Sequence, residues 1–497
     1  MKRDTVIAVI IGIVVLIVLV LTAGEGYVRD EGYYFKAARD YHAWFSHPSF
    51  DDAVLTRDFG YNTEHPGFVK ILAGFTARLV PGALGYRLAS MLIVAAGAAF
   101  TYLYGLRLFD RWTGLLAVAL LFTMPHVFYH AHLTCFDAPI MALSIIASYC
   151  YWRACDDRRW ILPAAIAWGV ALATKHNAVF LFAGFGLATL IVRAPQFTLR
   201  GRKLAIPALP LVLVVTPVIG LVVFYVFYPY GWHHPLQRIS AYYAYHMQHE
   251  HYPVDFFGTL YTAPPFPWGY AFRMTALTVP LTTLTIGILG LVNIARRRYR
   301  DLGAVLLLVG ALIPPLVISF PSVPIFGGTK HWMAMMPFFC IAGSSIVVRY
   351  RIPLSIALVA LPLLETIRVY PHGQTYFNEL VMGHQGGATL GLPRTFWGGD
   401  ARDLLPYLNA HAERGALVYT GRMNKLDWWQ YQKDGLARAD LQFTTDLNAA
   451  HWAFVWHQRE HQHVEYSLWD RGITKPEAEI GFDGVPLVSL YRLPVPQ

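Results

Sequence analysis

Two adjacent carboxylates, Asp30 and Glu31, follow a charge-free apolar run that extends from Thr5 to Ala23. A carboxylate at the membrane–water boundary is partly desolvated and can take a proton from a hydroxyl group. From Glu31 to Phe45, aromatic and small side chains recur at three- and four-residue spacing, which predicts an amphipathic helix in the interface. The pair would stand at the N-terminus of this helix, where the helix dipole favours a carboxylate. Capping of the helix is the alternative role, and the local sequence leaves both open.

Three lysines at the ends of apolar runs could contact an anionic group such as a phosphate. Lys70 ends the motif HPGFVK, which begins at His65, and Lys175 lies in the turn of the segment ALATKHNAVFL. Lys330 is followed directly by His331, within GGTKHWMAMMPFF. A lysine in such a position can also extend its ammonium to the membrane surface without binding a ligand. The sequence therefore offers three candidate cations, each with interfacial anchoring as the alternative.

Asp137 opens another apolar segment, and His130 and His132 lie just before it. An acid at the edge of the hydrocarbon is costly and is therefore more often functional than not. It could position a sugar or, with the histidines, bind a divalent metal, but one such trio in a turn is weak grounds for a metal site. We assign no metal ligand. Five further histidines lie in a loop rich in Tyr and Trp, where they could surround an acceptor or anchor the interface: His233, His234, His246, His249 and His251.

The composition is that of a polytopic helical membrane protein. Of the 497 residues, 55% are hydrophobic and only 14% are charged, and the mean hydropathy is +0.39. The net charge of +9 comes from basic residues between apolar runs, so it reports topology and not a nucleic-acid partner. The four cysteines show no metal-ligand spacing and are predicted to be core residues. The first apolar run is longer than a signal-peptide core and lacks an A-x-A site, which favours an uncleaved anchor.

Eleven apolar runs are predicted to cross the membrane. Four of them are shorter than the roughly 20 residues that a perpendicular span needs. Counting all eleven places every short basic connector on one face, as cytoplasmic loops require, whereas dropping one would turn later basic loops outward. The long runs are Thr5–Ala23, Leu88–Leu108, Leu204–Tyr228, Met274–Ala295, Leu302–Phe320, Trp332–Val348 and Ile352–Ile367. The short ones are Thr113–Pro125, Ala138–Trp152, Trp160–Leu172 and Ala178–Val192.

This count divides the chain into two predicted domains. Residues 1–370 form a transmembrane domain with a cytoplasmic N-terminus, a first outer loop at 24–85 and a long outer loop at 229–272. Residues 371–497 are more polar and alternate strand-like runs, such as AHWAFVWH and VPLVSLYRL, with the helix-like ARDLLPYLNAHAERG. They are predicted to form a small α/β domain outside the cytoplasm.

Several motifs of the chain resemble one group of membrane enzymes. The pattern DE-x-aromatic-aromatic, which ends at Tyr34, and the later HPGFVK resemble the first outer loop of protein O-mannosyltransferases. They are also similar to bacterial lipid-A aminoarabinose transferases; both groups are GT-C glycosyltransferases that use polyprenyl-phosphate sugars. Those families carry HPP-x-x-K, and here Gly67 replaces the second proline. The segments FDAPIMAL, ALATKHNAVFL, GGTKHWMAMMPFF and TYFNELVMG follow in the order that the family shows.

The resemblance implies a GT-C bundle in a bacterial-type inner membrane and a reaction on its outer face. An inverting enzyme would move a sugar from a polyprenyl phosphate to a hydroxyl of a protein, a glycolipid or an envelope glycan. Asp30 would be the base, with Glu31 as its orienter or a second acid. No cofactor is firmly implied. The donor phosphate would be held by Lys70, Lys175, His65, Lys330 and His331, and donor or acceptor would be positioned by Asp137, His132 and Tyr34.

Two other functions fit a polytopic chain. A transporter or flippase for lipid-linked sugars usually shows inverted repeats and ionisable residues at mid-span, whereas here the charges concentrate on one face. An oligosaccharide ligase is closer in chemistry but usually lacks a DE pair straight after the first span. The sequence identifies neither the sugar nor the acceptor.

The eleven-span topology makes a direct prediction. A reporter fused after Gln497 should be active only outside the cytoplasm, and one fused at Arg298 only inside, because three predicted spans separate the two fusion points. Activity of both fusions on the same side would contradict the loop assignments.

Overall fold

The computed structural model describes residues 2–196, 198–200, 203–205, 208–347 and 352–494. The first part of the chain is helical: α1 (Lys2–Leu21), α2 (Arg29–Ala43), α3 (Asp52–Phe59), α4 (Phe68–Leu79), α5 (Gly82–Leu108), α6 (Arg111–Phe122), α7 (Pro125–Ala131), α8 (Asp137–Asp156), α9 (Ile161–Leu172), α10 (Ala178–Arg193) and α11 (Leu211–Val226). Between α10 and α11 lies a short hairpin of β1 (Thr198–Arg200) and β2 (Lys203–Ala205).

The middle of the chain continues the helical bundle. Its helices are α12 (Pro235–Met247), α13 (Tyr270–Thr278), α14 (Leu281–Arg297), α15 (Leu302–Ile318), α16 (Met336–Ser344) and α17 (Ile352–Val369). A hairpin of β3 (Val254–Phe256) and β4 (Thr259–Tyr261) follows α12, and a 3₁₀ helix (Gly328–Met335) leads into α16.

The C-terminal part combines a sheet with short helices. Its helices are α18 (Gly383–Thr389), α19 (Leu405–His411), α20 (Lys425–Lys433) and α21 (Gln462–Trp469). Its strands are β5 (Leu417–Tyr419), β6 (Gln442–Thr444), β7 (Trp452–Trp456), β8 (Ala478–Phe482) and β9 (Val485–Arg492). They pair in the order β6-β5-β7-β9-β8, with β5 parallel to both β6 and β7 and the remaining pairs antiparallel. The two strand-like runs noted in the sequence are β7 and β9.

The described helices show which runs are long and apolar enough to cross a membrane. By length and composition, four helices of the described ranges qualify, namely α1, α5, α17 and α10 with its short extension. The pair α6 and α7, bent by 79°, would make a fifth. The fold is therefore that of a multi-pass helical protein, and the count of eleven spans stays a prediction.

Three of the predicted spans are shifted or divided, two of them at a proline. The span predicted from Leu204 begins later, at the start of α11, because Pro210 has extended backbone and cannot donate a helical hydrogen bond. The span predicted from Met274 is divided at Pro280, where α13 has ended and α14 begins. The span predicted from Trp332 starts inside the 3₁₀ helix, and α16 begins only at its end. The end of one predicted span, Val348, and three arginines of the basic connectors, Arg202, Arg349 and Arg351, lie outside the described residues.

The predicted helix of the first outer segment is present as α2, with Asp30 and Glu31 in its first turn. Glu31 is fully buried and accepts two hydrogen bonds from Arg87 of α5, at 2.6 and 2.8 Å. Its carboxylate also accepts the backbone N–H groups of Val28 at 3.3 Å and Thr134 at 2.9 Å. Arg87 in turn donates to the carbonyls of residues 25 and 26. This buried cluster joins α2, α5 and the turn before α8.

The C-terminal sheet packs on the first outer segment. Tyr27 stacks on Tyr431 with ring centroids 4.1 Å apart, and both belong to one hydrophobic core with Phe35, Trp428 and Trp452. The backbone N–H of residue 32 in α2 donates to Oδ1 of an aspartate in α20 at 2.8 Å. Residues on both sides of position 370 thus share a core. The division into two domains at that position stays a prediction.

The buried ion pair should dominate the stability of this region. Replacing Arg87 with Met leaves the Glu31 carboxylate buried without its cation, so we expect the free energy of unfolding to fall by about 3–5 kcal/mol. Chemical unfolding in detergent would measure it. The double variant Glu31→Gln/Arg87→Met should be less destabilised than the sum of its single variants, and strict additivity would contradict a direct interaction.

Candidate active site

A cavity of about 810 Å³ lies beside the N-terminus of α2. Its walls come from the turn before α8, the turn between α9 and α10, the helix α12, the 3₁₀ helix at 328–335 and loops of the C-terminal sheet. Separate parts of the chain therefore meet around one space that is large enough for a sugar and a phosphate.

Seven of the ten residues proposed from the sequence line this cavity. Two of them, Asp30 and Tyr34, lie about one turn apart on α2, and the other five come from later segments of the chain. The seven are Asp30, Tyr34, His65, Asp137, Lys175, Lys330 and His331. The other three, Glu31, Lys70 and His132, are not among the lining residues.

Two acid–lysine pairs face the cavity. Lys175 Nζ lies 2.6 Å from Asp137 Oδ1, and both side chains are almost fully buried. Lys330 Nζ lies 3.4 Å from Asp30 Oδ2, and 30% of the Asp30 side chain is exposed, against 5% for Asp137. Asp30 is therefore the more accessible acid and is the better placed to take a proton from an incoming group.

Local structure explains how Lys330 reaches this position. Gly327 and Gly328 both have positive φ, 69° and 66°, which is the region that favours glycine. A Cβ on Gly327 would lie 2.4 Å from the Lys330 side chain, so a larger residue here would displace the lysine. The ammonium lies 3.5 Å from the centre of the Trp397 ring, a favourable cation–π contact. Burial lowers the pKa of Lys330, while the charges of Asp30 and Asp137 act to raise it.

Lys70 holds the loop that precedes α4. Its ammonium donates to the hydroxyl of Tyr41 at 2.9 Å and to the carbonyls of Asn62 at 2.6 Å and His65 at 2.7 Å. These three acceptors match the three donors of an ammonium group. The side chain is fully buried, and burial lowers the pKa of Lys70 to about 7. Lys70 therefore anchors this loop and is not among the residues that line the cavity, and its contact with a phosphate stays a prediction.

Glu31 and His132 also lie away from the cavity. The Glu31 carboxylate is occupied by Arg87 and two backbone N–H groups, which leaves it no geometry for proton transfer to a substrate. His132 is buried with Nδ1 at 2.8 Å from the carbonyl of Phe128 and 3.0 Å from Glu25 Oε1. Both residues thus fasten the first outer segment to the bundle.

The trio considered for a metal does not assemble. His130 packs edge-on against Trp397, with centroids 5.4 Å apart, while His132 contacts Glu25 and Asp137 contacts Lys175. Within the described ranges of the chain, no group of three or more His, Cys, Asp or Glu side chains is arranged to hold a metal ion.

The cavity contains residues that the sequence analysis did not assign. These are His176, Glu64 and Arg29, and the His176 ring lies 3.8 Å from that of His246, one of the loop histidines named above. The sequence signal for His176 is its position directly after Lys175. The loops after β5, β6 and β7 reach the cavity through Arg422, Thr445 and Gln458 among others, and no local motif marks them.

Comparisons with known proteins agree with the motifs. Residues 64–220 match the family of dolichyl-phosphate-mannose-protein mannosyltransferases. The fold is similar to crystal structures of ArnT from Cupriavidus metallidurans. The form bound to undecaprenyl phosphate has a TM-score of 0.54 at 14% identity, covering 98% of this chain and 97% of that one. The apo form has a TM-score of 0.53 at 15% identity, covering 97% of each chain. No curated protein sequence matches significantly. The resemblance to GT-C glycosyltransferases is thereby confirmed.

The lysine assignments can be separated by one pair of variants. If the cavity binds a polyprenyl phosphate, as the motifs predict, Lys330→Met should weaken that binding by roughly 10- to 100-fold, because a charge-assisted contact to phosphate contributes about 1.5–3 kcal/mol. Lys70→Met should lower the unfolding temperature and leave that affinity within about threefold, because its ammonium binds the loop and not the ligand. Binding to the detergent-solubilised protein and thermal unfolding are the two measurements. A large loss of affinity in Lys70→Met without loss of stability would return Lys70 to the phosphate site.

Proposed function

We propose that this protein is an inverting glycosyltransferase that moves a sugar from a polyprenyl phosphate to a hydroxyl acceptor at the outer face of the membrane. The observation that carries the proposal is the pair of acid–lysine contacts, Asp30 with Lys330 and Asp137 with Lys175, on the walls of one cavity. Such a site combines a base with two cations. Glycosyl transfer from a phosphate needs both kinds of group.

The proposed reaction is a single displacement. Asp30 accepts the proton of the acceptor hydroxyl, and the oxygen forms a bond to the anomeric carbon of the sugar. The bond between that carbon and the phosphate oxygen breaks, and the polyprenyl phosphate leaves with the electron pair. Lys175 and Lys330 stabilise the charge that develops on the leaving phosphate. No covalent intermediate between sugar and protein is needed, since the acceptor attacks directly.

The remaining cavity residues support this division of roles. Asp137 is buried against Lys175 and holds that ammonium in place, so it acts as a positioning residue. Tyr34 packs on Phe136 with ring centroids 4.3 Å apart and provides a wall between the base and the turn before α8. The related fold of ArnT, which binds undecaprenyl phosphate, supports a polyprenyl phosphate as the donor carrier.

The proposal is tested by substituting the proposed base, Asp30. Asp30→Asn keeps the shape of the side chain but cannot accept the proton, so transfer should fall by roughly 10²–10⁴-fold while undecaprenyl phosphate still binds. Membranes supplied with radiolabelled polyprenyl-phosphate sugars would show which label moves and to which acceptor. Asp40→Asn is the matched control, because Asp40 lies on the same helix, pairs with Lys36 and does not line the cavity. Near-normal transfer by Asp30→Asn would contradict the assignment.

A further inference from the structure

One wall of the cavity consists of five imidazole rings from four separate segments. We call it the imidazole wall: His65, His176, His246, His249 and His331. His246 lies at its centre, with ring centroids 3.8 Å from His176 and 6.2 Å from His65. His249 stacks on Phe326 at 5.0 Å, and that ring contacts His331 at 4.7 Å. The acid–lysine chemistry of the proposed function uses none of the five.

Hydrogen-bond partners fix how each neutral ring carries its proton. Nε2 of His246 lies 2.9 Å from the carbonyl of Glu64, and Nδ1 of His249 lies 2.6 Å from the carbonyl of Glu250. Each of these nitrogens donates, so the other nitrogen of the ring is an acceptor. Two of the imidazoles in the wall therefore offer acceptors.

The other three rings have the opposite arrangement. The buried nitrogens Nδ1 of His65, Nδ1 of His176 and Nε2 of His331 have no hydrogen-bond partner among the described residues. A buried N–H without an acceptor is costly, which places the proton of each neutral ring on its other nitrogen. Those other nitrogens of His65, His176 and His331 act as donors. The wall thus combines three donors with two acceptors and carries no charge in this form.

Burial supports the neutral form. It is the first cause that lowers the pKa of His65, His176 and His331 well below the ordinary value, and it lowers the pKa of His246 to about 4. The nearby positive charge of Lys175 lowers all four further.

A mixed set of neutral donors and acceptors suits hydroxyl groups, because each hydroxyl both donates and accepts. Aromatic rings beside the wall can pack on the apolar face of a sugar ring. A cationic substituent would find poor partners, since four of the acids that line the cavity already pair with cations. These pairs are Asp30–Lys330, Asp137–Lys175, Asp255–Arg459 and Glu460–Arg422.

We infer that the imidazole wall is the subsite for the transferred sugar and that this sugar is a neutral hexose or pentose, not an amino sugar. The inference rests on the proposed function and specifies its donor. Glu64 is the residue that could oppose it: it lines the cavity, and within the described part of the chain its carboxylate has no ion pair and accepts a hydrogen bond from the side-chain amide of Asn62.

The test compares two donors that differ at one substituent, undecaprenyl phosphate-linked arabinose and 4-amino-4-deoxyarabinose. With the full-length protein in proteoliposomes, kcat/KM for the hydroxyl donor should exceed that for the amino donor by at least about 10-fold, because the ammonium lacks a carboxylate partner. Glu64→Gln should leave the preference unchanged. Equal use or preference for the amino donor, or a preference that changes with Glu64→Gln, would overturn the inference.

A second measurement tests the wall itself. His176→Phe keeps a planar ring but removes its hydrogen bonds, so it should raise KM for the arabinose donor by about 10-fold and leave binding of sugar-free undecaprenyl phosphate unchanged. His411→Phe, at an exposed ring stacked on Tyr407, is the matched control. A rise only in the KM of the acceptor, or equal loss for both lipids, would contradict a donor-sugar subsite.

The two proposals fail in different ways. If neither donor is transferred, but the arabinose lipid binds more tightly than undecaprenyl phosphate and His176→Phe removes the difference, the sugar subsite stands and the proposed transfer reaction falls. If transfer occurs without the preference for the hydroxyl donor, the proposed reaction stands and the assignment of the sugar falls.

Discussion

The buried pair of Glu31 and Arg87 is the interaction on which the geometry of the site depends. Two buried charges persist only when they face each other and their other hydrogen-bonding groups are satisfied, and here backbone groups complete both. The pair fixes the first turn of α2 against α5 and against the turn that leads into α8. Asp30 and Asp137, which stand on either side of this junction, therefore reach the same cavity without contacting each other.

Neighbouring residues of the same type have different roles because of this packing. Asp30 and Glu31 are consecutive, but the rotation of about 100° between successive helix positions directs the first to the cavity and the second into the bundle. The lysines show the same contrast. Lys70 has three oxygen acceptors, two from the loop before α4 and one from α2, whereas Lys175 and Lys330 meet carboxylates at the cavity wall. The residue types that can carry the chemistry are therefore visible in the sequence. The direction in which each side chain points is decided by contacts with residues that are distant along the chain.

The part of the site that could be predicted is the part that lies in local motifs. Carboxylates after the first apolar run, Asp137 at the head of a helix and Lys175 in a tight turn each stand out by polarity in an apolar context. Four of the five histidines of the imidazole wall stood out in the sequence, but their assembly into one wall and the approach of the C-terminal loops could not be predicted, because both depend on tertiary packing between distant segments. Two predicted helix boundaries were wrong where a proline interrupted an apolar run, at Pro210 and Pro280, since hydropathy records composition and not the backbone hydrogen bond that a proline cannot donate. Pro280 is the plainest case.

The proposed reaction gives the Asp30–Lys330 pair two successive states. In the free cavity the ammonium lies 3.4 Å from the carboxylate and over the Trp397 ring, which is a loose contact. A phosphate that enters competes for the ammonium, because a second anion beside a lysine shares its charge-assisted hydrogen bonds. The carboxylate then loses part of its partner and becomes the stronger base for the acceptor hydroxyl. Donor binding would thus prepare the base before the acceptor arrives.

Asp137 cannot be released in the same way, because its 2.6 Å contact with Lys175 is shorter and almost fully buried. The looser pair is the one suited to accept a proton. The tighter pair is the one suited to hold, in a fixed place, the ammonium that contacts the phosphate.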